Sequence, residues 1–568
     1  MPQVTTEALE SAYQTALAAL LAERHPNGYW VGELSTSALS TATAVAALSL
    51  LKKDLRHQEH DALIQGGLAW LVANQNEDGG WGDTIKSFSN ISTTMLCRAA
   101  FHISGTLHAP SLTLRAGESV SKAEKWLAER HGKTPEELAE AVRARYGKDR
   151  TFAVPILTTC ALAGLVSWKE VQALPFELAC FPQAWFRFLR LHVVSYALPA
   201  LIAIGQAVFH HRKPWNPITR VIRALSRKRS LRVLERIQPS SGGFLEATPL
   251  TSFVTLSLAA CGLADHPVAR KGVQFLVNSV RPDGSWPIDT NLSTWVTTLS
   301  VNALAASTDL DEIKSKEKLT AWLTAQQYKV RHPYTGAAPG GWAWTPLSGG
   351  VPDADDSPGA LLALSHLGCN MNDAAIEAGL NWLFKLQNRD GGWPTFCRGW
   401  GFLPFDRSGC DLTAHATRAI CSWARIRKVS IYTEFNVKPR LGEMTPNQRR
   451  LFWKLFWSIP HAVNYLAKTQ RPDGSWLPLW FGNQHAPDDE NPTYGTARVL
   501  AAYRDLDMMN SVPARRGITW LVGIQNADGG WGGAAKTPSS IEETALAVEI
   551  LLDAGPDAAE AVNKGLAW

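Results

Sequence analysis

Three aspartates lie close together in the segment VPDADDSPGALLAL. Asp353, Asp355 and Asp356 come directly before Ser357 and Pro358, a pair typical of a helix N-cap and first turn. The sequence therefore predicts three carboxyl groups at the positive end of a helix dipole, where a carboxylate is favoured and a protonated aspartate is a stronger acid. This arrangement indicates general acid chemistry, and a solvated acidic helix cap is the alternative without a catalytic role.

The spacing of these acids does not fit two metal-binding motifs. A calcium loop that began at Asp353 would need Gly at its sixth position and Glu at its twelfth, where the chain has Pro358 and Leu364. A DDxxD motif of the kind that binds magnesium and diphosphate is absent there, and the acidic run at 488–490 does not supply one. The sequence therefore indicates no metal ligands in this segment.

A second titratable pair follows in the segment DLTAHATRAI, which has the pattern of a helix start. Asp411 and His415 would lie one helical turn apart on the same face. A single histidine is usually a core or surface residue, so this pair by itself does not indicate a site. It becomes a candidate only together with the other motifs of the sequence.

A repeated pattern indicates the elements that must position these residues. Each copy has an apolar-aromatic helix end, usually Gln, and then Asp-Gly-Gly/Ser-Trp, and Val280 replaces Gln in the second copy. Glycine ends each helix because it tolerates positive φ. A repeat of this length indicates one supersecondary unit copied many times, with the motif as a structural staple between helix pairs. The five good copies are 70–82, 275–286, 382–393, 465–476 and 520–532, and the looser ones are 25–30, 238–244 and 339–344.

These segments resemble the QW repeats of the squalene–hopene cyclase and oxidosqualene cyclase family, and the acidic segment resembles the DxDD motif of class II terpene cyclases. The resemblance covers almost the whole chain. It implies an all-α fold of two α/α barrels, one inserted in the other. Mapped onto this sequence, the inserted barrel is 37–291, and the catalytic barrel combines 1–36 with 292–568.

The resemblance also implies a reaction, in which a linear isoprenoid hydrocarbon is protonated and cyclises through carbocations. Asp355 corresponds to the aspartate that delivers the proton, and Asp353 and Asp356 would share its hydrogen-bond network. The Asp411–His415 segment is similar to the family's D-x-T-A-H segment. His415 would then bond Asp355 as an imidazolium kept charged by Asp411.

Further residues at positions matching the family would complete the site. Tyr494, in NPTYGTA, would hold a water molecule that reprotonates Asp355. Aromatic faces stabilise cations without acting as bases, by up to about 2 kcal/mol each when desolvated. For each ring alone, packing in the core is the competing interpretation. The rings expected to stabilise cations are Tyr196, Trp295, Trp344, Phe396 and Trp480.

The chain length of the substrate stays open. The aromatic-rich tail that the resemblance predicts has no match in PSSIEETALAVEILLDAG, which follows the last repeat. Squalene is the favoured substrate and needs no cofactor. A shorter prenyl chain or a prenyl diphosphate, such as a C20 diphosphate giving a copalyl-type product, is the alternative, and only a diphosphate would bring magnesium.

Composition predicts a large, cytoplasmic protein. The 568 residues are 45% hydrophobic and carry a net charge of only +5, which gives no basis for a nucleic-acid partner. The eight cysteines form no CxxC pair and the N-terminus has no signal-peptide pattern. The apolar stretch 193–209 is interrupted by Pro199 and Gly205, and we expect it to be a buried helix rather than a membrane span.

The segment 218–236 combines an apolar helical face with many basic residues. The apolar face is Ile218, Val221, Ile222 and Leu225, among Arg220, Arg223, Arg227, Lys228 and Arg229. This pattern favours a helix on an anionic membrane surface, and a solvated basic helix is the alternative. We therefore expect a peripheral protein on the inner face of the membrane, with homodimerisation left open.

Three other classes of protein compete with this interpretation. An α/α-barrel glycosidase would also use paired carboxylates and Trp platforms, but the QW turns and the D-x-T-A-H segment disfavour it. A protein prenyltransferase β-subunit would need a zinc set, and no Asp/Cys/His trio has a recognisable spacing. A repeat-barrel interaction protein without catalytic activity would not need the intact acidic motif.

Overall fold

The computed structural model is a protein of helices joined by turns. It describes residues 4–55, 59–105, 113–147, 150–182, 185, 197–333, 335–370, 373–396, 405–426 and 446–568. The first-half helices are α1 (Thr6–Ala22), α2 (Ala38–Leu55), α3 (Asp61–Ala73), α4 (Ile91–Ser104), α5 (Thr113–Arg130), α6 (Pro135–Tyr146), α7 (Arg150–Leu162), α8 (Leu198–His211), α9 (Pro217–Ile237), α10 (Thr248–Ala259) and α11 (Pro267–Ser279).

The second half continues in the same way. Its helices are α12 (Ser293–Leu304), α13 (Asp309–Glu312), α14 (Lys316–Ala325), α15 (Asp356–His366), α16 (Ala374–Leu386), α17 (Cys410–Ile426), α18 (Pro446–Thr469), α19 (Pro492–Asp505), α20 (Val512–Gly523), α21 (Ile541–Leu551) and α22 (Ala559–Ala567). Short 3-10 helices occur at Phe176–Cys180, Phe244–Glu246, Pro487–Asp489 and Pro556–Ala558.

The helices of the first half form two concentric layers. In the inner layer α2 contacts α4, α4 contacts α7, α7 contacts α8, α8 contacts α10, and α10 returns to α2, which closes a ring. Helices α3, α5, α6, α9 and α11 pack outside it. The inner helices are the more buried ones, as in α2, where twelve residues are buried.

The second half repeats this arrangement. Its inner helices contact one another in the order α12, α15, α17, α19 and α21, with α14, α16, α18, α20 and α22 on the outside. The N-terminal segment belongs to this core, because Trp30 is buried in it with Leu17 and Leu20 against it. Two short strands, β1 (Thr36–Ser37) and β2 (Trp286–Pro287), pair antiparallel where the chain enters and leaves the first ring. The domain boundaries at 37 and 291 stay predictions.

The repeated motif acts as a staple, as its pattern predicts. In all five good copies the Trp is fully buried and its Nε1–H donates to the carbonyl of a leucine ten residues earlier, as Trp393 does to Leu383 at 2.9 Å. The Gln side chain donates to a glycine carbonyl in its own turn and to a carbonyl of the next outer helix. Gln387 thus bonds Gly391 at 2.7 Å and Ser458 of α18 at 3.0 Å.

The two segments considered for membrane contact are both helical. Residues 193–196 lie outside the described part of the chain, and α8 is almost entirely buried, as expected. Within the residues that the structure describes, each helix falls short, in length or in apolar character, of what crossing a bilayer requires. Helix α9 covers the basic segment and leaves its apolar face exposed, but Arg223 is buried and pairs with Glu177 at 3.1 Å.

Candidate active site

The three aspartates take different positions at the start of α15. The Asp353 carboxylate accepts hydrogen bonds from the backbone N–H groups of Asp355 and Asp356, at 2.8 and 2.7 Å, and so caps the helix itself. The prediction of Ser357 as N-cap is therefore wrong: Asp355 is the N-cap residue. The Ser357 hydroxyl instead accepts from the backbone N–H of Trp342 at 2.8 Å, which fastens the helix start to the preceding repeat.

Asp355 is the accessible acid of the three. Asp353 and Asp356 are 3% and 4% exposed, whereas the Asp355 side chain keeps 31% of its surface. Its Oδ1 lies 2.9 Å from His415 Nδ1 on α17. The predicted contact between the two residues is thus present. When Asp355 is ionised or carries its proton on Oδ2, Oδ1 is an acceptor and His415 Nδ1 donates this bond.

A glycine makes room for this contact between helices. A Cβ at Gly359 of α15 would lie 3.0 Å from Thr298 Oγ1 and 3.6 Å from His415 Cε1, so a larger residue would crowd the imidazole and α12. The small residue lets α12, α15 and α17 approach closely at the level of the acid.

The predicted link between Asp411 and His415 is not what the structure shows. Asp411 Oδ1 accepts from the backbone N–H of Leu479 at 3.1 Å, and its Oδ2 is buried with no hydrogen-bond partner among the described residues. Burial and the charge of Asp355 raise the pKa of Asp411 to about 6. Asp411 therefore lies beside the acid without holding the imidazole, because its carboxylate is turned toward the segment that precedes α19.

The electrostatics separate Asp355 from its neighbours. Burial would raise the pKa of Asp355, but the hydrogen bond from His415 and the positive charges of His415 and Arg498 outweigh it and lower this pKa. Burial raises the pKa of Asp353 to about 7, and burial together with the charge of Asp353 raises the pKa of Asp356 well above its ordinary value. Asp356 is thus a weaker acid than an ordinary aspartate, and Asp355 is the strongest acid of the group.

A small polar pocket lies next to Asp355. It is lined by Asp355, Asp411, His415, Arg418, Tyr494 and Arg498. Its free space is about that of a single water molecule. The structure therefore places Tyr494 where the sequence predicted, on the same polar pocket as the acid.

Sequence reasoning missed two residues of this pocket, Arg418 and Arg498. Arg498 follows Tyr494 by four residues on α19, the same spacing that singled out Asp411 and His415. Its Cζ lies 5.0 Å from the Tyr494 ring centroid, and the Tyr494 ring is also stacked with Phe481, with centroids 4.4 Å apart.

Several of the predicted aromatic residues form one row. Trp344 and Phe396 have ring centroids 6.3 Å apart, Phe396 and Phe405 are stacked at 4.9 Å, and Phe405 and Trp480 are 4.4 Å apart. Phe405 was not predicted, because nothing in GFLPFDRSG distinguishes one aromatic residue from another. Trp295 is joined to this row by a backbone hydrogen bond, in which its N–H donates to the Trp344 carbonyl at 3.1 Å.

Tyr196 lies outside the described residues. Trp344 is anchored by a buried carboxyl group that was also not predicted, since its Nε1–H donates to Asp289 Oδ2 at 2.7 Å. Burial, with the charge of Glu246, raises the pKa of Asp289 to about 7.

Comparison with known proteins shows the same organisation along the chain. A model of the squalene–hopene cyclase C-terminal domain matches residues 291–402 and 454–568, and one of the N-terminal domain matches 13–132. Together these matches span more than half of the chain. A probable squalene–hopene cyclase of Sinorhizobium fredii is 24% identical over 98% of this chain and 90% of its own length. A squalene–hopene cyclase of Bradyrhizobium diazoefficiens is 24% identical over 99% and 88%.

The solved structures show the same fold. The ent-copalyl diphosphate synthase from Streptomyces platensis superposes with a TM-score of 0.57, covers 98% of this chain and 91% of its own, and is 17% identical. The predicted all-α fold of two α/α barrels is thereby confirmed.

Proposed function

We propose the following reaction for this chain, which belongs to the squalene–hopene cyclase family of class II terpene cyclases. Asp355 carries a proton on Oδ2 and transfers it to a terminal alkene carbon of a linear isoprenoid. The alkene π electrons form the new C–H bond, and the more substituted carbon becomes the cation that the next double bond attacks. The accessibility of Asp355, together with its His415 bond, is the observation that carries this proposal.

The neighbouring groups make this step feasible. An alkene is a very weak base, and an ordinary aspartate has a pKa of about 3.9, so the acid must be strengthened. The His415 bond and the nearby positive charge stabilise the carboxylate that remains after proton transfer. Tyr494 and the water-sized pocket supply a route by which a water molecule returns a proton to Asp355.

The row of rings is suited to the cations that follow. Trp344, Phe396, Phe405 and Trp480 present π faces and carry no basic lone pair that would remove a proton early. We infer that these rings hold successive cationic centres, and that cyclisation ends by deprotonation or by addition of water.

Squalene is the proposed substrate, because the full-length relatives named above are squalene–hopene cyclases. The test is incubation of the purified protein with squalene, and separately with a C20 prenyl diphosphate with and without magnesium, followed by mass spectrometry of the products. We expect cyclised squalene. Cyclisation of the diphosphate alone would overturn the choice of squalene and leave the protonation mechanism in place.

The decisive variant is Asp355→Asn. It removes the proton and keeps the shape, so we expect kcat to fall by at least about 10²-fold with an unchanged circular dichroism spectrum. Asp353→Ala is its comparison at the neighbouring acid and should lose helix stability, since it removes the oxygen that accepts two backbone N–H groups at the start of α15. Turnover by a folded Asp355→Asn protein close to the wild-type rate would exclude Asp355 as the acid.

We further propose that α9 lies on a membrane surface, from which an apolar substrate is drawn. The membrane-facing surface consists of Trp215, Ile218, Val221, Ile222 and Leu225, which are 99%, 69%, 58%, 48% and 78% exposed. Exposed Lys213, Arg220, Lys228 and Arg229 accompany it. Exposed tryptophan and aliphatic side chains among cations are typical of helices that lie in an anionic interface.

Vesicle flotation tests this surface. The protein should float with vesicles of phosphatidylcholine and phosphatidylglycerol, and Ile218→Glu with Leu225→Glu should abolish flotation. Ile541→Glu is the control, because Ile541 is 81% exposed at the start of α21, in the other half of the chain. Equal flotation of all three proteins would contradict the proposal.

A further inference from the structure

Two glycines that lie just before the acidic motif are held by side chains from both halves of the chain. The Gly349 N–H donates to Oε1 of Glu246, which belongs to the first half, at 2.6 Å. The Gly350 carbonyl accepts from the Tyr328 hydroxyl at 2.6 Å and from His332 Nε2 at 3.0 Å. Glu246, Tyr328 and His332 are called the glycine clamp below. The clamp thus bonds both glycines through their backbone.

Glu246 reaches its glycine from an unusual turn. Leu245 and Glu246 have φ angles of 57° and 51°, a region that residues other than glycine adopt rarely and at a cost in free energy. The Glu246 side chain is fully buried, and its Oε1 also accepts from the Ser241 hydroxyl at 2.6 Å. A Cβ at Gly349 would lie 2.5 Å from this Oε1 and 2.4 Å from the Gly243 carbonyl oxygen, so the contact requires glycine. A buried carboxyl group on a strained turn is typical of a functional contact.

The other two clamp residues are donors whose protons are fixed by their surroundings. The Thr335 N–H donates to His332 Nδ1 at 3.3 Å, so the proton of the neutral imidazole is on Nε2, which faces the Gly350 carbonyl. Burial, with the charge of Glu246 among others, raises the pKa of Tyr328, so its hydroxyl stays protonated. Both side chains therefore donate to the same carbonyl oxygen.

The connection from the clamp to the acid is short and buried. Val351 and Pro352 follow the glycines; both are buried, and the proline ring fixes its own φ. The Asp353 N–H then donates to the Trp342 carbonyl at 3.1 Å, and the Asp353 carboxylate caps the helix whose N-cap residue is Asp355. A displacement of the clamped glycines would therefore be transmitted to Asp355.

We propose that the glycine clamp positions Asp355 for proton transfer, and that Glu246 ties this position to the first half of the chain. The inference rests on the proposed function of Asp355 as the acid. Glu246, Tyr328 and His332 are positioning residues, because they act through the backbone of the acidic segment. Proton transfer depends steeply on geometry, and a misplacement of about 1 Å can cost on the order of 10²-fold in rate.

The experiment compares Tyr328→Phe, Glu246→Ala and Glu246→Gln with the substrate that the wild type cyclises in the test described above. We expect Tyr328→Phe and Glu246→Ala each to lower kcat on the order of ten-fold with little change in KM, because the acid moves while the binding surface remains. Glu246→Gln should recover most of the kcat, since its amide oxygen can still accept from the Gly349 N–H.

Two control variants separate positioning from general stability. Ser241→Ala removes the other hydrogen bond to Glu246 Oε1 and leaves the Gly349 contact in place. Tyr146→Phe removes a tyrosine hydroxyl that donates to Ser92 at 2.8 Å in the first half. Both controls should lose thermal stability, as the clamp variants do, but should keep a kcat close to that of the wild type.

Three results would overturn the inference. The first is a wild-type kcat in folded Tyr328→Phe and Glu246→Ala proteins. The second is a loss of kcat in Ser241→Ala and Tyr146→Phe as large as in the clamp variants. The third is a Glu246→Gln protein no more active than Glu246→Ala. Tyr328→Phe and its control decide the matter if Glu246→Ala does not fold. Activity of Asp355→Asn would instead refute the proposed function, so the two failures are distinguishable.

Discussion

At the scale of single residues, three neighbouring aspartates of one motif have three different environments. Asp353 accepts two backbone N–H groups, Asp356 is buried with a raised pKa, and Asp355 keeps an accessible carboxyl group. The identical side chains therefore differ in proton affinity through burial and hydrogen bonding. This division assigns the structural work to the outer two and leaves the middle one free to react.

The bond between His415 and Asp355 gives a first prediction. His415→Ala removes a hydrogen bond to a charged acceptor, worth about 1.5–3 kcal/mol, so we expect kcat to fall at least ten-fold. His415→Gln restores a neutral donor and should recover part of the loss. Steady-state kinetics of both variants measure the change in kcat. Equal activity of wild type and His415→Ala would show that the His415 bond does not contribute to the reaction.

The anchoring of Trp344 gives a second prediction. Trp344→Phe keeps an aromatic ring but loses the N–H that bonds Asp289 at 2.7 Å, so the ring is no longer held in place. We expect partly cyclised products to increase, because a cation that is poorly stabilised at this point is deprotonated early. Mass spectrometry of the products measures this, with Trp453→Phe on the exposed part of α18 as the control. An unchanged product pattern would return Trp344 to a packing role.

At the scale of elements, the same staple holds an outer helix to the next one in each repeat that carries the Gln. Gln525 donates to the Gly529 carbonyl in its own turn and to the Ala561 carbonyl of α22, both at 2.8 Å. The buried Trp531 closes the same turn by donating to Leu521 at 2.8 Å. Because each staple precedes an inner helix, the series fixes where the inner helices begin, and the candidate site lies at those starts.

The staple predicts a measurable loss of stability. Gln525→Leu keeps the volume but leaves two partly buried carbonyl groups without their donor, which should reduce the free energy of unfolding by about 1–3 kcal/mol. Gln274→Leu is the matched control, because Gln274 bonds only Asn278 on the surface of α11 and should change stability by about 0.5 kcal/mol or less. Urea denaturation of both variants measures the difference, and equal midpoints would contradict the role.

At the scale of the whole molecule, buried carboxyl groups gather where the two halves meet. Glu246, from the first half, accepts from Ser241 and from the Gly349 N–H of the second half, both at 2.6 Å. Asp289 follows β2, and its charge adds to that of Asp353 in raising the pKa of Asp356. The two halves therefore share one electrostatic environment next to the acid.

This burial predicts how stability depends on pH. The pKa of Asp289 is about 7 in the folded protein and 3.8 as the ordinary value, which applies to the unfolded chain. Between these two pH values the native state therefore binds more protons than the unfolded state. Asp289 thus stabilises the fold at low pH, and this contribution is lost as pH rises through about 7. Asp289→Asn keeps an acceptor for Trp344 and removes the titration.

The Tm of wild type and Asp289→Asn should therefore be compared at pH 5 and pH 8. We expect the variant to gain a few degrees relative to wild type on going to the higher pH. The comparison cancels other titrating groups, such as His332, whose pKa burial lowers to about 4. If the difference in Tm between the two proteins is the same at pH 5 and pH 8, Asp289 is ionised in the folded protein at both pH values.

Local sequence determined much of this protein. The repeats predicted helices in pairs, because a glycine-containing turn and a buried tryptophan are properties of a short segment. The spacing of Asp353, Asp355 and Asp356, and of Asp411 and His415, resembles two family motifs, and that resemblance predicted Asp355 as the acid and His415 as its hydrogen-bond partner. These predictions depend on residue types at fixed offsets, which a single helix or turn converts directly into geometry.

Only the tertiary structure decided how those groups are coupled. Asp411 bonds Leu479 rather than His415, and Asp355 rather than Ser357 is the N-cap of α15, where the Asp353 carboxylate accepts the backbone N–H groups. Arg498 is far from Asp355 in the chain and carries no motif. Hydrogen-bond competition, burial and charge act between helices that are distant in sequence, so their outcome depends on packing.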